Sequence, residues 1–256
     1  MGIACEQERD RMDLDRRIRD SARSWGADFV GVADLTPTHD AIARQWGPVI
    51  AGYPRAVSLG IALLHPIVDQ LPRQADREAA MTYRHHAYDV INQRLDLITS
   101  EIASSLQAEG SSAFPVPASE RFDDKRLCAS FSHKLAANLS GLGWIGKSCL
   151  LVTPEHGPRV RWATVLTDAA LDVTGQPVDD QCGDCTLCVD ICPVQAFTGK
   201  HFRKEEPRDA RYMADKCDRY FKGMEAKGKL KVCGMCLYVC PFGKKTNRQE
   251  ASCEMK

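Results

Sequence analysis

The apolar pattern begins with a helical stripe. Between residues 14 and 25, Leu14, Ile18, Ala22 and Trp25 recur at helical spacing, and Gly26 closes the run. Residues 29–33 (FVGVA) read as a short strand, and 34–46 as a turn followed by a helix. Residues 55–64 (RAVSLGIALL) are nearly continuous in apolar side chains, the pattern of a strand buried on both faces. The longest periodic segment, 79–106, carries Tyr83, Tyr88, Ile91, Leu95, Ile98, Ile102 and Leu106 on one face and stops at Gly110. An extended piece follows at 113–117 and a helix at 131–139. Beyond the glycine-rich stretch 141–147, the segments 148–153 (SCLLVT) and 161–167 (RWATVLT) read as strands. The turn at 156–159 between them predicts a hairpin. Residues 172–180 are a linker, 201–231 a charged, basic-leaning insert, and the tail after Pro241 is polar and loose. The pattern divides the chain into an α+β part, 1–175, and a cysteine-rich part, 176–256.

Composition narrows the class. An apolar fraction of 44% and a charged fraction of 27% over 256 residues are ordinary for a globular protein of one large or two modest domains. The formal net charge is +0, so no global basic field gathers nucleic acid, and nucleic acid is not expected as a partner. No apolar run reaches the length of a membrane span, so no membrane is expected. The first residues are charged and lack an apolar core, so no signal peptide is expected; Arg16-Arg17 is followed by Ile-Arg-Asp, which does not continue an export signal. Twelve cysteines in a chain of this length do not suit a secreted disulfide scaffold and place it in a reducing cytoplasm.

Most of those cysteines fall in two groups. Cys182, Cys185, Cys188 and Cys192 with Pro193 read C-x2-C-x2-C-x3-C-P, the run with which bacterial-type ferredoxins hold a 4Fe-4S cluster. A tight loop offers three thiolates to one cubane; the fourth cysteine leaves for a second cluster. Cys233, Cys236 and Cys240 with Pro241 supply the other half, and Cys217 lies upstream. The expected assignment is Cys182, Cys185, Cys188 and Cys240 for one cluster, and Cys192, Cys217, Cys233 and Cys236 for the other. The alternative, a pair of zinc knuckles, needs neither the third cysteine at that spacing nor the prolines. Cys5, Cys128, Cys149 and Cys253 show no ligand spacing and read as buried or incidental thiols.

Gly141-x-Gly143-x-x-Gly146 has the letters of a dinucleotide fingerprint in the wrong context: a helix precedes it and a strand follows, the reverse of what puts a pyrophosphate on a helix N-terminus. The loop is either a tight helix-to-strand turn or a backbone lying against a flat cofactor edge. The candidate cofactor-binding residues are His133, Gly141, Gly143, Trp144, Gly146 and Lys147.

Together, GLGWIGK (141–147), LLVTP (150–154), VLTD (165–168) and the double cysteine motif resemble the epoxyqueuosine reductase family, which is related to the reductive dehalogenases. GADFVGVA (26–33) and YPRAVS (53–58) extend the resemblance over residues 14–243. It implies an N-terminal cobalamin-binding domain of nitroreductase-like α+β form, a two-cluster ferredoxin domain, and electrons passed from two 4Fe-4S clusters to a corrinoid or small substrate. It also implies a low-potential donor of ferredoxin or flavodoxin type. Family reductases carry Asp-Tyr-His near the start of the long helix, with the Asp as proton donor; here Ala87 stands before Tyr88, which leaves His85, His86 and Asp89 as candidate catalytic residues. Those reductases continue into a helical-repeat region that helps hold tRNA, whereas this sequence stops at Lys256, and the export signal of dehalogenases is absent. No Asp-x-His-x-x-Gly run supplies a histidine to cobalt. The other reading is an electron-transfer protein without corrinoid, with Arg203, Lys204, Arg208, Arg211, Arg219 and Lys222 forming a face for an acidic partner.

Overall fold

The computed structural model describes residues 2–204 and 206–244, without the side chains of 2–11; the tail expected to be loose lies largely outside them, as do Cys253 and the Cys5 thiol. Four strands form one antiparallel sheet: β1 (Phe29–Asp34), β2 (Arg55–Ala62), β3 (Ala113–Val116) and β6 (Val160–Thr167), in the order β1-β2-β6-β3. Phe29 pairs with Gly60, Ala56 with Leu166, and Ala113 with Thr167. All six inner positions of β2 are buried, as its unbroken apolar run requires. Alternation sorts them between two cores. Val57, Leu59 and Ile61 face the main core, packed against Ile91, Leu95, Ile98 and Ile102 of helix α4 (Ile91–Ala108). Ala56 faces the other side, with Ile42 of α2 (His39–Trp46) and Phe131 and Ala136 at α5 (His133–Leu139). Ser132 caps α5, its side chain accepting from the Leu135 N–H.

The first helix, α1 (Gly2–Ser24), buries Ile18 and Ala22, but Trp25 lies one residue beyond its end and is 42% exposed. The long helix is interrupted. α3 (Arg77–Arg84) runs into a π-helical turn over His85–Val90 before α4 begins. The extra residue of that turn rotates the apolar stripe, so Tyr83 and Ala87 are buried while Tyr88 is 38% exposed. The hairpin expected between 148–153 and 161–167 does not form. β6 is bonded to β2 along its whole length on one side and, over Thr164–Thr167, to β3 on the other. Only Leu151–Val152 (β5) is a strand there, and it pairs with Trp144–Ile145 (β4). The charged insert contains a helix, α6 (Ala214–Ala226), whose Asp215–Arg219 and Asp218–Lys222 pairs use its i,i+4 spacing.

The cysteine-rich half is sutured to the sheet half. Val232 and Leu237 belong to the same buried core as Val57, Leu71 and Leu95. A Cβ on Gly157, whose φ is +54°, would fall 2.4 Å from the Gly243 nitrogen, so these two backbones meet where only glycine fits.

Candidate functional site

Two compact loops present the cysteines. In the first, Gly183 takes φ +49° and the Cys185 N–H returns to the Cys182 carbonyl at 3.1 Å, while the Cys182 N–H is held by Asp180 Oδ1 at 2.7 Å. In the second, Gly234 takes φ +69° and starts a helical turn over Met235–Tyr238. A Cβ on Gly234 would lie 2.7 Å from Leu71 Cδ1 and would make that side chain shift. Cys217 comes from the first turn of α6.

The thiols gather as the spacing predicts. A single cavity is lined by Cys182, Cys185, Cys188 and Cys240. Burial pushes the Cys188 thiol up to about 11, and its other neighbours are Cys182, Cys240 and Cys185. Cys236 is pushed far above the usual thiol range by burial and then by Cys233, Cys217, Cys188 and Cys192. Burial also raises Cys217, whose neighbours include Tyr212 and Cys192. Buried thiols crowded in this way become thiolates only when they share a cation. Among the described residues no three His, Cys, Asp or Glu side chains close on a single-ion site. The first quartet surrounds a cavity, a donor set that suits a polynuclear iron–sulfur centre.

The glycine-rich loop lies against this cavity. A Cβ on Gly146 would stand 3.2 Å from Cys182 Sγ. Lys147, buried, donates through Nζ to the carbonyls of Gly183 at 2.6 Å and Cys185 at 3.1 Å. Gly141 and Gly143 do other work: Gly141 meets the backbone of Gly175 and Gln176, and Gly143 meets the Val152 carbonyl. His133 is removed from the loop. Its Nε2 donates to the Pro117 carbonyl at 3.1 Å, so its Nδ1 accepts from the Thr164 hydroxyl at 2.9 Å. Burial holds it down to about 4, a neutral imidazole that joins β3, α5 and β6.

A second, larger cavity of about 690 Å³ opens on the other side of the loop, between α2, the start of α5 and residues 202–211. Ile145 and Cys149 line it, while the intervening Gly146, Lys147 and Ser148 line the cysteine cavity. One turn of backbone, closed by the Cys149 N–H on the Gly146 carbonyl at 2.8 Å, is the wall between them. Cys149 adopts φ +55°, a strained value for a residue with a side chain.

The larger cavity is cationic and partly apolar. Trp46, Leu135, Ile145 and Phe202 supply the apolar lining. Lys134 donates to the Cys149 carbonyl at 2.5 Å, and burial, reinforced by Arg208 and Arg211, lowers its pKa. Arg211 is 5% exposed and stacks over the Phe202 ring at 4.7 Å. Its Nε is buried with no partner, and its ion pair with Glu206 Oε2 is stretched to 4.0 Å, leaving that oxygen without a hydrogen bond. Two unpaired buried polar atoms in one wall mark a place where a polar ligand would be bonded. Arg208 gives its guanidinium to the carbonyls of Leu127 and Arg126. Arg208 and Arg211 are therefore cavity residues and not part of a solvent face for an acidic partner. Periodicity could not reveal this, since both lie in a charged stretch and are drawn inward only by tertiary contacts.

The catalytic candidates form a separate group on the π-helical turn. His85 Nδ1 pairs with Asp89 at 3.7 Å and both are exposed; His86 Nε2 accepts the Leu64 N–H at 3.2 Å, and burial lowers its pKa. None of the three lines either cavity. Arg161 covers the Tyr88 ring at 4.6 Å and bonds Asn92, which ties β6 to this turn.

Residues 181–243 match the family described as a 4Fe-4S double cluster binding domain. Epoxyqueuosine reductase from Cellulophaga algicola is 32% identical over 176 residues, which cover 63% of this chain and 50% of that protein. The enzyme from Pseudomonas aeruginosa is 24% identical over an alignment of 270 residues, 90% of this chain and 69% of that protein. The matched part is 17% of the Bacillus anthracis protein and 31% of that from Lactococcus garvieae, so the chain spans about half or less of most of these relatives. Among solved structures, an epoxyqueuosine reductase superposes on 91% of this chain and 66% of its own, with a TM-score of 0.59 at 20% identity. A catabolic reductive dehalogenase in complex with 3-bromo-4-hydroxybenzoic acid covers 91% and 32%, with a TM-score of 0.64 at 21% identity. These likenesses establish the α+β fold with its C-terminal double-cluster domain. Another epoxyqueuosine reductase structure holds an epoxyqueuosine-modified tRNA stem loop, so net charge alone is no ground for setting nucleic acid aside. Among the described residues no helix is long and apolar enough to cross a membrane.

Proposed function

The chain belongs to the epoxyqueuosine reductase family, structurally related to the reductive dehalogenases, and on that premise we propose an iron–sulfur reductase whose clusters serve a corrinoid-binding cavity. The observation that carries this reading is the shared wall: residues 145–149 face the cysteine cavity on one side and the 690 Å³ cavity on the other. An electron leaving the first cluster has one backbone turn to cross.

The residues assign themselves to parts. Cys182, Cys185, Cys188 and Cys240 hold the cluster at the wall; Cys192, Cys217, Cys233 and Cys236 hold the outer one. A low-potential ferredoxin or flavodoxin supplies the electrons, since 4Fe-4S centres reach down to about −700 mV. When bound, a corrinoid supplies a strongly reducing cobalt centre; the chain's part is to hold it and exclude water. Trp46, Leu135, Ile145 and Phe202 suit a broad apolar ring, and Arg211 Nε and Glu206 Oε2 suit its peripheral amides. Lys134 Nζ is the proton carrier assigned to this cavity, and burial lowers its pKa. His85, His86 and Asp89 lie outside the cavity walls and are given no proton role. The proposed substrate class is the epoxide-bearing queuosine precursor in tRNA, by analogy with the family.

The test is anaerobic purification with iron, sulfide and cobalt analysis, before and after incubation with cobalamin. About eight irons per chain and a cobalamin spectrum that Arg211→Met and Lys134→Met weaken are expected. About eight irons with no affinity for cobalamin would remove the corrinoid and leave an electron-transfer protein. Turnover is then assayed on an epoxyqueuosine-modified stem loop.

A further inference from the structure

Cations gather around the outer cysteines. Lys216, next to Cys217 in the first turn of α6, donates through Nζ to the Gln195 carbonyl at 3.3 Å, and the Gln195 N–H returns to the Cys192 carbonyl at 3.1 Å. On the other side of Cys217, the buried Asp218 carboxylate accepts from Arg121 at 2.7 Å and pairs with Lys222 at 2.8 Å. Three cations thus meet one carboxylate, and Lys216 has no carboxylate partner among the described residues. The neighbouring Asp215–Arg219 pair cancels itself. Phe122, next to Arg121, is 76% exposed, an apolar ring beside the charged rim. The inner cysteine loop has the opposite sign at its surface. Asp184 and Asp190 are exposed on it and Asp179 just before it, none with a cationic partner among the described residues.

We propose that this patch is the docking face for an acidic, low-potential electron-carrier protein, and that electrons enter the chain at the outer cluster. Opposite charges across an interface steer the encounter, and like charges set side by side suppress it. A carrier with an acidic rim is drawn to Arg121, Lys216 and Lys222 and turned away from the aspartates over the inner loop. Contacts between redox carriers are small, so one exposed ring and a cationic rim are enough. The carrier loses one electron and the outer cluster gains it; no bond forms and no proton moves. The two signs of charge give the relay a direction, with entry beside Cys217 and exit at residues 145–149. RNA would also meet cations here, but it has no need of a patch that adjoins cluster ligands, which favours the carrier. The inference rests on the cysteine assignment proposed above and not on the corrinoid.

The experiment is anaerobic stopped-flow mixing of the full, cluster-loaded chain with a reduced acidic [2Fe–2S] ferredoxin, at low and at high salt. Lys216→Glu combined with Lys222→Glu is expected to lower the second-order rate constant about tenfold at low salt. It is also expected to flatten the salt dependence, because the attraction that salt screens is gone. Reduction by dithionite, which needs no docking face, keeps the wild-type rate. An unchanged ferredoxin rate and salt slope in a variant carrying about eight irons per chain would overturn the proposal. Iron content far from eight in the wild type would instead overturn the cysteine assignment. A second measurement uses the wild type alone and decides the matter where the variant loads poorly or dithionite also reduces it slowly. Lysines are acetylated with and without excess oxidised ferredoxin and read by mass spectrometry. Protection of Lys216 and Lys222 is expected. Equal labelling in both samples, or protection by an RNA stem loop and not by the ferredoxin, also overturns it.

Discussion

His133 shows what one side chain's environment dictates. Its ring is pinned between a carbonyl that can only accept and a hydroxyl that can then donate, which fixes the neutral tautomer. Its pKa is about 4 in the fold against 6.5 for an ordinary histidine. The unfolded chain therefore takes up a proton first as pH falls, and the stability held by the neutral ring is complete above pH 6.5 and lost between there and 4. By pH 5 the loss is about 2 kcal/mol. Urea titrations at pH 7 and pH 5 should show a larger fall for wild type than for His133→Gln; equal falls would mean that the ring is not kept neutral. Sequence counted His133 among the candidate cofactor contacts, while its partners in the fold, Thr164 and Pro117, come from distant stretches of chain. The cysteines were legible for a different reason: spacing within a short loop is itself geometry, and a three-residue step admits few shapes. Lys134 and Arg211 were not, since nothing local marks a charged residue that tertiary packing will bury.

At the scale of elements, periodicity located the strands and helices but not their partners. β2 announced its double burial through an unbroken apolar run, whereas β6 gave no sign that it would sit between β2 and β3 and refuse a hairpin. The π-helical turn was equally silent, because one inserted residue leaves the apolar count unchanged and alters only the phase. Its consequence is testable at Ala87, the position just before Tyr88 that the resemblance to the family sets opposite its acid. Ala87 is fully enclosed in the main core, among Tyr83 and Ile91. Ala87→Asp should cost about 3–5 kcal/mol, the penalty of an unpaired buried charge, measured as a lowered denaturation midpoint at neutral pH. A neutral effect there would show that the turn can rotate the position outward.

For the whole molecule, two halves separable by composition proved inseparable in packing. Leu237, from the turn that carries Cys236, is buried with Leu71 and Val57. Leu237→Ala should remove about 2–5 kcal/mol and lower the melting of helical signal and the loss of cluster absorbance by the same interval. If cluster absorbance alone fell, the two halves would be independent units. The suture also has a meaning for biogenesis. Val232 and Leu237 cover a face of the main core, and Cys240 closes a cavity begun at Cys182. During synthesis the sheet must wait, greasy and incompletely covered, until almost the last described residues leave the ribosome. Iron loading and the completion of folding thus become one late event, and a cell short of iron would accumulate a half-dressed sheet with an exposed apolar face, a natural client for chaperones and proteases.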